Sequence, residues 1–554
     1  MTHSFTVGDY LLDRLAEIGV RHLFGVPGDY NLAFLDHVMD HEDITWVGNA
    51  NELNAAYAAD GYARVNGVGA LLTTYGVGEL SAINGIAGSY AEYVPVVHVV
   101  GAPSTTTQRA GALVHHSLGD GDFEHFLRAY AEVTVAHAHL AVGTAPAEID
   151  RVLLAAVRER RPGYLLMPTD VAASPATPPR APLAAPEPEL SERVLTDFLG
   201  RARELLASAG SATVLADFLV DRFGARQELG ELLDAGHFPR TTLALGKGLL
   251  DESDPAFVGT YAGAASPKPA RQAVEQADVV IAAGVRFTDM ATAGFTQDIA
   301  PERMIDLQPF EARIGEQRFA PLPMGAALSG LAAVVRELGR DWAREFVPET
   351  DVDVPVPAPH LTQRELWASV QEFLRPGDIV VAEQGTSLYG AVGLPLPSGT
   401  GFVGQPLWGS IGYTLPAAFG AQVAAPDRRV VLLIGDGSAL MTAQEIGSML
   451  RNGLSPIVVL VNNDGYTVER AIHGAEQPYN DIARWNWSLV PAAMGAGERA
   501  LTLHAGTVEE LRRALEMARA TTDRLVFLEV TVPVMDKPDL MAAIAEALAT
   551  ANAR

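Results

Sequence analysis

Gly435-Asp436-Gly437 and Asn462-Asn463 are the residues whose types and spacing can do chemistry. A carboxylate (Asp436), an amide oxygen (Asn463) and a free backbone carbonyl near Gly465 are hard oxygen donors. Such donors suit Mg²⁺, which takes few protein ligands and fills its octahedron with water and substrate phosphates. Gly437 lets the backbone approach a phosphate, and the helix that follows offers its N-terminus. The set reads as a Mg²⁺-bridged diphosphate site. An ordinary capped turn is the competing reading, and the second motif, Asn462-Asn463, tells against it.

The elements that must position these residues are legible around them. The apolar run Val430-Val431-Leu432-Leu433-Ile434 predicts a buried parallel strand. Ile446, Met449 and Leu450 have helical spacing, stopped by Gly453 and Pro456, and 457–461 is a second strand. A right-handed crossover brings both strand ends to one sheet edge, where folds of this kind bind ligands.

Composition bounds the rest. A chain of 554 residues, 48% hydrophobic and 19% charged, predicts about three domains with ample core. A net charge of −27 disfavours nucleic acid and anionic membrane surfaces as partners. With no cysteine, disulfides, thiolate catalysis and cysteine-zinc sites are excluded. The N-terminus lacks a basic, then apolar, leader pattern and no run is long enough to span a bilayer, so a soluble cytoplasmic protein is expected.

Alternating strands and helices predict an α/β fold of three parallel-sheet domains, at 1–172, 190–347 and 360–554. Pro-rich linkers are expected at 173–189 and 348–359. In the first domain, strands are expected at 22–24, 71–74 and 94–100, with a small-residue helix at 55–64. In the middle domain strands are expected at 213–216, 243–245 and 279–283. No G-x-G-x-x-G follows any of them, so this domain reads as a spacer without a dinucleotide. The first and third domains echo each other: a small-residue helix (55–62; 414–421), an apolar strand, then a Gly-rich turn (76–78; 435–437).

Gly25-Val26-Pro27-Gly28-Asp29-Tyr30-Asn31, Ala50-Asn51-Glu52-Leu53-Asn54, Leu113-Val114-His115-His116-Ser117 and Asn463-Asp464-Gly465-Tyr466-Thr467-Val468-Glu469-Arg470 join the GDG and NN motifs. Together they make the chain, end to end, resemble the thiamine-diphosphate-dependent 2-oxo acid decarboxylases of the pyruvate and indolepyruvate decarboxylase group. The run 469–477 looks most like the indolepyruvate branch. The resemblance implies the thiamine-enzyme architecture, with two related cofactor-binding domains flanking a middle Rossmann-like one. It also implies non-oxidative decarboxylation through the C2 carbanion of thiamine diphosphate, an electron sink held with Mg²⁺.

Carried over residue by residue, the resemblance implies that Glu52 hydrogen-bonds the pyrimidine N1′, so that the 4′-nitrogen removes the C2 proton. A helix-start Glu favoured by the dipole is the plainer reading. Ile411 would prop the folded cofactor, with an ordinary core Ile as the alternative. The Gly409 carbonyl would accept from the 4′-amino group. Thr386, Ser438, Gly437 and Tyr466 would add contacts, and Asp436, Asn463 and Gly465 would hold the metal. Asp29, His115, His116 and Glu469 correspond to a proton-relay set, in which Glu469 could equally assist decarboxylation. The His pair stands on a Gly-bounded loop (111–119), where successive side chains are expected to point different ways. His137 and His139 read as solvated positions.

Gln384, Leu388, Val468 and Ile472 would line the substrate pocket. Leu388 stands where pyruvate-preferring members carry Trp, which implies aromatic and branched-chain 2-oxo acids such as indolepyruvate and phenylpyruvate. One methylene of fit is worth only ~1–3 kcal/mol. Pyruvate decarboxylase, an acetolactate-synthase-like carboligase, a non-catalytic fold relative and, more distantly, a nicotinamide dehydrogenase are the alternatives. Glu52 and Asp436 fall in different domains, so the site must form between domain surfaces. A homo-oligomer, a dimer of dimers, is what the resemblance implies.

Overall fold

Three sheets carry the chain in a computed structural model that describes residues 5–184, 188–346 and 360–552. The first is wholly parallel, in the spatial order Thr45–Gly48, His22–Gly25, Gly69–Thr74, Val96–Ala102, Gly163–Pro168, Ala136–His139. Its central strands Gly69–Thr74 and Val96–Ala102 are buried at every position, as parallel strands covered by helices on both faces must be. The last sheet is also parallel: Gly401–Val403, Ile379–Ala382, Val430–Gly435, Ile457–Asn462, Leu525–Thr531, Ala500–Ala505. Numbered along the chain, both sheets run 2-1-3-4-6-5. The echo in the sequence is an echo of topology.

The middle sheet has seven strands, Ala212–Ala216 and Val279–Ala283 among its central ones, and is mixed because Glu311–Ile314 runs antiparallel to both neighbours. The strand expected at 243–245 is displaced. Pairing ends with Arg240–Thr242, and Ala244–Gly246 is a single 3₁₀ turn. The apolar residues there are the buried start of a turn that closes on the neighbouring strand. A Cβ on Gly246 would lie 2.9 Å from the Asp217 Cα. Between the first two domains, 173–184 holds neither helix nor strand beyond one bridge from Pro175 to Thr6. The linker expected at 348–359 lies outside the described residues.

The two small-residue helices of the echo are Glu52–Asn66 and Thr414–Ala424, and they pack on each other. A Cβ on Gly420 would sit 1.9 Å from the Ala58 carbonyl oxygen, and one on Gly61 2.2 Å from that of Ala417. Only bare backbone allows so close an approach, so the first and third domains share one apolar core. Buried polar bonds cross the same seam. Tyr413 donates to Asp60 at 2.6 Å and Arg64 to the Gly404 carbonyl at 3.0 Å, with Arg64 also paired to Asp60 and Glu92.

Candidate active site

Val430–Gly435 and Ile457–Asn462 are parallel neighbours, so the residues just past their ends meet. Asp436 is only 2% exposed, and burial pushes its carboxyl up to about 6. The Gly437 N–H donates to its Oδ1 at 2.9 Å and the Gly465 N–H to its Oδ2 at 3.2 Å, both favouring the ionised form. The Asn463 carboxamide oxygen lies 3.1 Å from Asp436 Oδ1 and 3.1 Å from the Gly465 carbonyl, while its nitrogen lies 2.8 Å from Thr467 Oγ1.

Turning the amide over would give the nitrogen two acceptors but would require Thr467 to donate to Asn463. The single Thr467 proton is already donated to the Val534 carbonyl at 2.7 Å. The nitrogen therefore faces Thr467, and three oxygens converge. An octahedral Mg²⁺ spaces adjacent ligands about 3.0 Å apart, so these residues fit the hard divalent cation read from the motif.

This trio opens into a cavity of about 170 Å³, which is also lined by Gln384, Thr386, Ile411, Gly437, Ser438, Tyr466, Val468 and Glu469. A Cβ on Gly437 would come within 2.6 Å of the Tyr466 ring, so that ring sets the demand for glycine there. Glu469 stands exposed in the first turn of the helix Thr467–Ile472. Three of the residues expected from the third domain do not line the cavity. Gly409, at φ +66°, lies two positions before Ile411. Leu388 is fully buried in the core of the third domain, and Ile472 ends its helix half-buried.

Two buried carboxylates that brace the site carried no motif. Glu383 follows the strand Ile379–Ala382 and accepts from Gln384 N–H at 2.9 Å and from Thr414 Oγ1 at 2.7 Å. It ties the turn bearing Gln384 and Thr386 to the helix that follows Ile411, and burial pushes it up to about 7. Glu445 accepts from the side chains of Asn49 at 2.9 Å and Asn54 at 2.8 Å, gripping the segment that presents Glu52. Acidic residues at the ends of apolar stretches were the available signal.

On the first domain, Glu52 occupies the first helical position behind the cap Asn51, whose side chain accepts from Asn54 N–H at 2.8 Å. Its half-buried carboxylate faces Gly78, where a Cβ would lie 3.4 Å away. Nearby sheet-end loops bring Asp29, His115 and His116 together. His115 Nε2 is 2.7 Å from Asp29 Oδ2, and one donor atom from each of the three residues falls within a common 4.8 Å. The expectation that the adjacent histidines point apart is corrected. Their rings are 4.6 Å apart because His116 adopts φ +66°, which swings its ring back beside His115.

Tyr30 stacks on His115 at 4.9 Å and meets His116 edge-on. His137 is exposed and His139 half-buried, 3.7 Å from Glu124. None of Asp29, Glu52, His115 or His116 lines the Asp436 cavity of its own chain.

No helix among the described residues is long and apolar enough to cross a membrane. Three domain families match in order: "Thiamine pyrophosphate enzyme, N-terminal TPP binding domain" at residues 5–125, the central domain at 199–338, and the C-terminal TPP binding domain at 386–530. The chain is 53% identical over 542 residues to an "Alpha-keto-acid decarboxylase" of Mycobacterium leprae (strain TN), covering 98% of this chain and 95% of that relative. It is 54% identical over 539 residues to the protein of the same name from Mycobacterium ulcerans (strain Agy99), covering 97% and 95%. With end-to-end identity at this level and both cofactor-binding domains present, the chain belongs to the thiamine-diphosphate-dependent 2-oxo acid decarboxylases.

Proposed function

We propose that the chain decarboxylates aromatic and branched-chain 2-oxo acids to aldehyde and CO₂. In this reading it uses Mg²⁺ and works in the cytoplasm as a homotetramer built as a dimer of dimers. The three domains are those at 1–172, 190–347 and 360–554. The observation that carries the cofactor part of the proposal is the convergence of Asp436, Asn463 and Gly465 oxygens in a cavity that also holds Ile411. When bound, thiamine diphosphate would supply a nucleophilic carbon and a cationic thiazolium ring that serves as the electron sink.

The chain's own residues do the rest. Asp436, Asn463 and the Gly465 carbonyl hold the metal, and Ser438 and the N–H groups after Gly437 take the diphosphate. Ile411 would pack against the bound cofactor, and Thr386 and the Gly409 carbonyl would contact its pyrimidine. Glu52 would hold a proton toward the pyrimidine N1′ of the bound cofactor. Asp29, His115, His116 and Glu469 would carry protons to and from the reacting carbon and oxygen, the work of general acids and bases.

Because Glu52 and the Asp29-His115-His116 cluster do not reach the Asp436 cavity of the same chain, a second chain supplies them. Val468 and Gln384 on the cavity wall support a bulky substrate side chain, together with Leu388, which the resemblance sets where pyruvate-preferring members carry Trp. A substrate panel tests this reading: kcat/KM for phenylpyruvate, indolepyruvate and 4-methyl-2-oxopentanoate is expected to exceed that for pyruvate. The reverse order would make the chain a pyruvate decarboxylase.

A further inference from the structure

Asp29, His115 and His116 form the only group of three or more His, Asp or Glu donors among the described residues placed to share a metal ion. From these residues we propose a second cation site, one that takes Zn²⁺ or a similar borderline-soft divalent ion and thereby arrests the enzyme. Two imidazoles and a carboxylate are the donors such ions select, whereas the oxygen trio at Asp436 suits Mg²⁺. The chain thus separates two kinds of cation by ligand chemistry.

The group is built, not accidental. Adjacent side chains ordinarily diverge, yet the left-handed backbone at His116 turns its ring beside that of His115. The His116 carbonyl packs directly against Gly76, where a Cβ would fall 1.9 Å from its oxygen. Tyr30 stacks on one ring, and its hydroxyl lies 3.4 Å from His115 Nδ1, the outer partner that orients a ligating histidine. His116 Nδ1 is buried with no hydrogen-bond partner. In the single chain the side chains of Asp29 and His115 are 47% and 57% exposed, and widening their 2.7 Å contact to about 3.3 Å would match the ligand spacing around a tetrahedral Zn²⁺. A bound ion would occupy the lone pairs that carry protons in the proposed mechanism. The inhibition therefore rests on that reading, while the binding does not.

The test uses the holoenzyme saturated with Mg²⁺ and thiamine diphosphate and titrated with Zn²⁺ against a chromophoric chelator. One Zn²⁺ per chain is expected, bound at least tenfold more weakly in His115→Gln and in His116→Gln. Aldehyde formation by the unaltered protein should fall in step with occupancy and return on chelation. Co²⁺ should give the visible d–d bands of nitrogen ligation, lost in Asp29→Asn, an exposed position where folding is not at stake. The proposal is overturned if the His115→Gln/His116→Gln variant binds Zn²⁺ as tightly as the unaltered chain, or if binding is lost only in Asp436→Asn. An active enzyme that binds no Zn²⁺ at this cluster would overturn the site and spare the function. A Zn²⁺-binding chain with no decarboxylase activity would do the opposite.

Discussion

Thr467 has one hydroxyl proton, and its destination decides which end of the Asn463 amide faces Asp436. With that proton donated to the Val534 carbonyl, Thr467 accepts from the amide nitrogen and leaves the oxygen for a cation. In Thr467→Val the amide loses this anchor and is free to turn its NH₂ toward Asp436. Mg²⁺-dependent binding of thiamine diphosphate, measured by calorimetry, is expected to weaken about tenfold or more, as when the outer partner of a ligand is lost, with Thr467→Ser close to the unaltered chain.

A second expectation concerns Glu79, fully buried, accepting from Tyr164 at 2.6 Å and from Gly76 N–H at 2.8 Å. Burial pushes it up to about 7 from 4.5. Because the folded-state value is the raised one, its favourable contribution is fully present below pH 4.5. It is lost as pH rises through about 7, about 3 kcal/mol in all. The melting temperature of Glu79→Gln relative to the unaltered protein should therefore rise between pH 5 and pH 8; a flat difference would place the titration elsewhere.

Legibility at this scale followed distance along the chain. Asp436 and Asn463 were readable because one local strand-helix-strand unit puts them together. Glu445 was not, because its partner Asn49 is 396 positions away, nor was the convergence of the His115 and His116 rings, which depends on a backbone angle that no residue type announces.

Among the elements, the packed helices Glu52–Asn66 and Thr414–Ala424 bear the most consequence. The sequence showed both as small-residue helices without showing that they touch, because composition fixes how closely a helix can be approached and not by what. Gly420→Ala would drive a methyl into the Ala58 carbonyl, and overpacking of this kind costs about 1–3 kcal/mol. A lower melting temperature is expected, together with loss of activity from a displaced Glu52 at the start of the same helix. The misplaced strand at 243–245 has the complementary origin. An apolar run reports burial, and a buried turn is as apolar as a strand.

For the whole molecule, the separation of the Glu52 and Asp436 surfaces makes a definite forecast. Glu52→Gln and Asp436→Ala are each expected to be inactive alone. Mixed in equal amounts and allowed to exchange subunits, they should recover about a quarter of full activity, because half the pairs are hybrids and each hybrid holds one intact site. Activity that stays absent after exchange, verified by mass, would put both half-sites in one chain. The three-domain plan was legible from length and alternating elements. The expectation that half-sites pair across chains rests on the resemblance, since the periodicity of one chain carries no sign of an assembly surface.

The shared strand order of the outer sheets has one more implication. The turn after Gly69–Thr74 and the turn after Val430–Gly435 occupy the same place in their sheets. In one, the acid Asp436 meets the oxygens of Asn463 and Gly465; in the other, the acid Glu79 is folded inward onto a tyrosine. One strand order thus carries an acid turned toward oxygens that suit a cation and another turned into the core, so a shared topology does not by itself fix what a strand-end acid does.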